Sequence, residues 1–292
     1  MNRPAAVISV DVDPVDLHLV GYGFRGLAPD PLVAEVGLPR LLEVFARCGV
    51  RATLFMVGRD TERHAAGMAA AAGAGHEIAS HTWSHPIGFA SLPPGQQQDE
   101  LQRSRRALER ASGAAVIGFR APNFDMNAAA AARLLAAGYR YDASAYPSLM
   151  LLPARAMLAR KSASPLSVLA MRPWPFTWAR QPYDWQVDGG TLREFPVAMT
   201  PGLRLPVYHT LRYYSAEASF ASSLAGFAKR GETLSYVLHG VDVLGLAADH
   251  VDARLRKHPG MDRPLAPKLA LLERTLRTIA SRFDVRTYAE LL

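Results

Sequence analysis

From residue 5 to about residue 145, apolar runs of strand length alternate with segments of helical period. "AAVISVDVD" reads as a buried strand that ends in acidic residues. "GLPRLLEVFARCGV" has helical periodicity with Gly49 placed as its stop, and "RATLFMVG" is a second short strand. "TERHAAGMAAAAG", residues 61–73, is helical and leads into a third strand, "HEIASH". The amphipathic helix "GQQQDELQRSRRALERASG" precedes the strand "AVIGFRAP", and the helical "MNAAAAARLLAAG" precedes "YRYDAS". Strands that point the same way need a crossover between them, usually a helix. The alternation therefore predicts an α/β fold with a parallel sheet. With about seven or eight strands, its natural closure is a (β/α) barrel, formed as a single domain over residues 1–292.

A barrel carries its active site at the C-terminal ends of its strands. Asp11, Asp13, His81, His85, Arg120, Asp142 and His239 all fall at or just after a predicted strand. It is their agreement that marks a site.

Composition bounds what such a site can serve. Of 292 residues, 49% are hydrophobic and 20% charged, which excludes a disordered chain and predicts a sizeable core. The lone cysteine, Cys48, cannot form an internal disulfide and reads as a buried side chain at a helix end. Asp11 and Asp13 interrupt the first apolar run too early for a signal peptide, and no stretch approaches a membrane span. The expected location is cytoplasmic. The net charge of +7 suits anionic partners, yet the basic residues are scattered and no nucleic-acid-binding motif is present. No nucleic-acid partner is expected.

The rhythm breaks at residues 147–190, which hold six prolines and three tryptophans among scattered Arg and Lys. One reading is an elaborated barrel loop whose aromatics pack on the protein body. The other is a flap that binds substrate or faces a membrane, since Trp beside Arg and Lys suits sugar stacking and lipid interfaces.

"GHEIASHTWSHPIG", residues 75–88, places His81 and His85 four apart, so that two imidazoles can reach one point. The zinc-protease pattern HExxH is absent, because the histidine after His76-Glu77 comes one residue late. Pro86 disfavours helix at His85, which puts the pair on a turn. A catalytic zinc-type site needs a third protein ligand and an open position. Asp11 and Asp13, either side of Val12, send both carboxylates to one side of a strand end. One carboxylate could bind metal while the other takes a proton from water. His239, in "SYVLHGVD", is a possible acid for a leaving group.

Together these residues resemble the polysaccharide deacetylase family, the NodB-homology domain of carbohydrate esterase family four. "SVDVDP" resembles its first motif, "HTWSHP" matches the second, H-[ST]-x-x-H, and "RAPNF" resembles the third, R-x-P. "YRYDAS" is similar to the segment after the next helix, and "VLHG" to the last motif. The likeness is strong over residues 5–145 and looser over 190–292. It implies a distorted (β/α) barrel that hydrolyses an N-acyl group, acetyl or formyl, from an amino sugar. By motif position, Asp13, His81 and His85 would bind a divalent metal, usually zinc. Asp11 would be the general base, oriented by Arg120, and His239 the general acid. Pro122, Asn123 and Asp142 would line the substrate, joined by Trp174 and Trp178 from the insertion. Three departures bear on the substrate: the two acids are not adjacent, the fourth motif's tryptophan is not evident, and "HGVD" replaces a commoner aspartate after the last histidine.

"VDVDP" followed by "GLPRLLEVFARCGVRATLF" also resembles the lipid-linked aminoarabinose deformylases of the same superfamily. That likeness implies a sugar on undecaprenyl phosphate and peripheral contact with the inner membrane face. An allantoinase-like amidase on a small non-sugar substrate, and a NodB-like protein that only binds, are the alternatives.

Overall fold

Eight residues, Ala5–Val12, form strand β1 of a computed structural model that describes residues 3–150, 156 and 178–292. The strands that follow are β2 (Thr53–Met56), β3 (Glu77–Ser80), β4 (Gly118–Phe119) and β5 (Tyr141–Asp142). The remaining four are β6 (Tyr183–Val187), β7 (Gly190–Glu194), β8 (Leu234–His239) and β9 (Asp284–Arg286). They make one sheet in the order β6-β7-β5-β4-β3-β2-β1-β8, with β9 also paired to β1. The described ladders run parallel except β6–β7. The expected α/β class is thus borne out, as a curled and mostly parallel sheet of the distorted-barrel kind.

The antiparallel pair is a finding beyond the sequence reading. Residues 183–187 fall inside the expected 147–190 insertion, but they form a sheet strand that turns through Gly189 and Gly190 into β7. Both glycines have positive φ, 91° and 138°, which a tight hairpin requires and other residues resist. Asp188-Gly189 is itself a hairpin signal.

Internal contacts group the chain into two compact units, Met1–Leu54 with Gly73–Glu77 and Val207–Leu291, and Phe55–Ala72 with Ile78–Pro206 and Leu292. Each is assembled from separate stretches of chain, so no linker could mark the boundary.

In the first unit β1 lies between β8 and β9, with Ala6, Val7, Ile8 and Val10 fully buried. Helix α1 is Val15–Gly21, and helix α2, Leu38–Cys48, turns Leu38, Leu41, Val44 and Phe45 inward, the spacing of one helical face. Each such side chain contributes about 1.5–3 kcal/mol on burial. Gly49 ends the helix in the left-handed conformation, as its sequence position foretold. Cys48 is half-buried there, with its thiol 3.9 Å from the Glu273 carbonyl.

In the second unit, helix α3 (Thr61–Gly73) precedes β3, and α4 (Pro94–Ser112) buries Leu101, Ser104, Ala107 and Leu108. Helix α5, Ala128–Ala136, is capped by the Asn127 side chain, which accepts from Ala130 N–H. Gly118 in β4 has no alternative residue: a Cβ there would stand 2.0 Å from the fully buried Tyr141 ring. No helix among the described residues is long and apolar enough to cross a membrane.

Candidate metal centre and active site

β1 ends in the acids that the sequence singled out. Asp11 and Asp13 are 4% and 6% exposed. Within the same unit Asp11 lies opposite His239 in the β1–β8 register, so the candidate base and acid stand on neighbouring strands. His239 is followed by a 3-10 turn, Gly240–Val243, whose Asp242 accepts a hydrogen bond from the His239 backbone N–H at 2.8 Å. Tyr213 donates to the other Asp242 oxygen at 3.1 Å. Burial alone would raise the Asp242 carboxyl, but His209, His239 and that N–H hold it below the usual range. The aspartate of "HGVD" thus fastens the turn.

Two further histidines surround His239, and the sequence reading missed both. The His18 ring lies 6.0 Å from His239 and 5.1 Å from His258, and His258 lies 6.3 Å from His239. Tyr22 Oη is 3.2 Å from His258 Nδ1. Burial pushes His258 down to about 4, so its ring is neutral at ordinary pH. His18, five residues after Asp13, was within reach of a sequence argument. His258 had no signal at all.

In the second unit the turn after β3 carries His81 and His85, and the expectation of a turn rather than a helix holds. His81 is 2% exposed, and its ring stands 5.0 Å from that of His85. His81 Nδ1 is 2.8 Å from the Arg120 carbonyl oxygen. A carbonyl only accepts, so Nδ1 carries the proton and Nε2 keeps its lone pair for a ligand bond. Thr82 and His85 have φ of 66° and 58°. The left-handed conformation costs a non-glycine residue about 1–2 kcal/mol, so surrounding bonds must hold the turn. Thr82 Oγ1 supplies one by accepting from His85 N–H at 3.0 Å.

Among the described residues, the one group with the character of a metal site is Asp13, His81 and His85, whose ligand atoms all lie within 4.8 Å of one another. Two imidazoles, one with its tautomer already set, and one carboxylate fit a divalent cation.

Arg120 is fully buried; its guanidinium lies 4.1 Å from the Phe55 ring centre, and Nε donates to the Ala143 carbonyl. Pro122 is buried, while Asn123 is exposed with φ of 55°. Asp142, expected against substrate, lies fully buried and commits its carboxyl to Ser144 Oγ and to Glu194. Trp178 is 6% exposed and packs edge-on against Trp185 with ring centres 6.3 Å apart. It is a packed residue. Trp174 and Arg172 lie outside the described residues.

A family model described as polysaccharide deacetylase matches residues 30–141. The peptidoglycan deacetylase of Helicobacter pylori is 33% identical over 140 residues, covering 46% of this chain and 47% of the relative. A peptidoglycan deacetylase-like protein of Gibberella zeae is 31% identical over 150 residues, covering 49% and 44%. The chain spans about half the length of these relatives. In fold it is similar to a Mycobacterium smegmatis structure described as a polysaccharide deacetylase, with TM-score 0.64 and 20% identity over 100% of this chain and 90% of the other. An allantoinase, Puue, gives TM-score 0.59 at 17% identity, covering 98% and 88%. At such identity both likenesses speak for the fold alone. The fold and site define an α/β protein of the distorted-barrel kind, with an Asp-His-His set that suits a divalent metal. The resemblance read from the motifs holds over residues 30–141, the stretch that matches the polysaccharide deacetylase model.

Proposed function

We propose that this protein is a metal-dependent hydrolase that removes an N-acyl group from an amino sugar. The observation that carries the reading is the convergence of Asp13, His81 and His85 ligand atoms within 4.8 Å. The names of the relatives, both peptidoglycan deacetylases or like them, favour an N-acetyl sugar. Two imidazoles and a carboxylate suit zinc. A cation held there would polarise the acyl carbonyl and lower the pKa of water toward neutrality.

The chain's own residues then divide the proton work. Asp11 accepts the proton of the attacking water, and Arg120 orients Asp11. His239, on the strand beside β1, gives a proton to the departing amine. A neutral amine leaves far more readily than an anion, so His239 governs breakdown rather than attack. Pro122 and Asn123 line the sugar in this reading.

A finer version names an undecaprenyl-phosphate-linked amino sugar, with formate as the released acid, at the cytoplasmic face of a membrane. It draws on the likeness to the aminoarabinose deformylases and on the +7 charge. The test is to incubate zinc-loaded protein with N-acetylated glycan fragments, an N-formyl amino sugar and allantoin, and to identify the released product. Acetate or formate from a sugar supports the proposal. Hydrolysis of allantoin alone, or no turnover of any of the three, overturns it.

A further inference from the structure

Two left-handed residues in one short turn raise the question of what keeps His81 and His85 in place. Three clamps are visible, all within one unit. On one side, His81 N–H donates to the Met56 carbonyl, Gly58 N–H to the Thr82 carbonyl and Arg59 N–H to the Trp83 carbonyl, each at 2.9 Å. Gly58 permits this close approach, since a Cβ there would stand 2.9 Å from Trp83 Cε3 and from Ser104 Cα. Within the turn, the Thr82 hydroxyl spans His81 and His85. On the other side stands a single carboxylate.

Glu100 projects from α4 and accepts three hydrogen bonds. Trp83 N–H and Ser84 N–H both donate to Oε2 at 2.8 Å, and Ser84 Oγ donates to Oε1 at 2.6 Å. All three donors belong to the two residues that immediately precede His85. Arg103, one helical turn further along α4, sets its guanidinium 4.4 Å from the Trp83 ring centre. These three hydrogen bonds all serve this turn. Neither the motifs nor the spacing of the sequence pointed to Glu100.

We propose that Glu100 is a positioning residue that holds the 82–85 turn in its ligating shape and so sets the metal affinity of His81 and His85. This rests on the reading of Asp13, His81 and His85 as metal ligands. An ionised carboxylate makes stronger hydrogen bonds than a neutral acceptor, and the two backbone N–H groups are donors that only a proline in the turn would remove. Without the clamp, Trp83 and Ser84 can relax out of the geometry that left-handed Thr82 and His85 impose. His85 then leaves the site before His81, which is anchored through Arg120 and β3. Groups that orient metal ligands typically alter metal affinity by roughly 10- to 100-fold when removed.

The experiment is a titration of the metal-free full chain with zinc ions against a competing chromogenic chelator, with the melting temperature of the metal-free protein recorded alongside. Glu100→Ala is expected to weaken the zinc dissociation constant by about 10- to 100-fold. Glu100→Gln is expected to retain most of the affinity. Its amide oxygen can accept the two backbone N–H groups, and its amide nitrogen can donate to Ser84 Oγ. Asp99→Ala, which removes the exposed neighbouring acid paired with Arg103, is expected to bind zinc as the unaltered chain does. Should Glu100→Ala fail to fold, Glu100→Asp replaces it, with its reach shortened by one methylene and the same loss expected. Unchanged affinity in Glu100→Ala overturns the proposal, and so does a loss in Glu100→Gln as large as in Glu100→Ala. No zinc binding by the unaltered chain would sink the metal reading and this inference together, whereas equal binding by it and Glu100→Ala sinks this inference alone.

Discussion

Asp142 and Glu194 stand opposite one another in the β5–β7 register, both with no exposed surface. Glu194 accepts from Trp185 Nε1 and Ala145 N–H, both at 2.9 Å, and Asp142 accepts from Ser144 Oγ. Burial raises both carboxyls above their ordinary range, and for Asp142 the neighbouring Glu194 raises it further. The pair is therefore more easily kept with a proton than without one. A carboxyl whose folded pKa exceeds its unfolded value, near 4, adds stability at low pH and loses it as pH rises through the folded value. Urea unfolding between pH 5 and pH 8 should show this loss, at most about 1.4 kcal/mol per pH unit for one proton. Asp142→Asn, which carries a permanent donor toward Glu194, should flatten the loss. An identical pH slope in the variant would remove the pair from the account.

His81→Ala should lose most of the bound metal, because two protein ligands rarely hold zinc tightly. Elemental analysis of the purified variant measures it. Full metal content would end the assignment of His81.

For Asp11 the expectation is the reverse. Asp11→Asn should keep near-normal metal and lose on the order of a hundredfold or more in turnover, the scale of a lost general base. If Asp11→Asn released metal while Asp13→Asn retained it, the two roles would have to be exchanged.

Gly118→Ala should destabilise the protein by about 1–3 kcal/mol, the usual effect of overpacking. The added methyl group meets the buried Tyr141 ring at 2.0 Å, and that ring packs edge-on against Phe195. Tyr141→Leu in the same chain should recover part of the loss in a denaturant melt. No difference between Gly118→Ala and the unaltered chain would mean that the ring has room.

Binding to anionic vesicles should exceed binding to neutral ones and weaken with salt, if the lipid-linked reading is right. The +7 charge and the Trp174 and Arg172 of the insertion motivate this. Sedimentation with both vesicle types at low and high salt would test it. Equal and negligible binding favours a substrate without a lipid.

The sequence by itself determined the α/β class, because helix and strand periods are local properties of the chain. It also determined the ligand candidates, since Asp13 ends a strand and His81 and His85 share a six-residue motif. Gly49 as a helix stop and the turn before Pro86 were legible for the same reason: each depends on a few adjacent residues. Other features needed the tertiary structure, because they join residues far apart in the chain. The Asp142–Glu194 pair is separated by 52 positions, and only the β5–β7 register brings it together. His258 reaches His239 through a loop with no motif of its own. Glu100 reads in the sequence as one more polar position of an amphipathic helix, and only the packing of α4 turns it onto the 82–85 turn. The tally of strands differed because Tyr183–Val187 sits among prolines and tryptophans, which hid its pairing. Local chemistry named the candidate ligands, and the long-range packing of α4 against β3's turn decided how that turn is held.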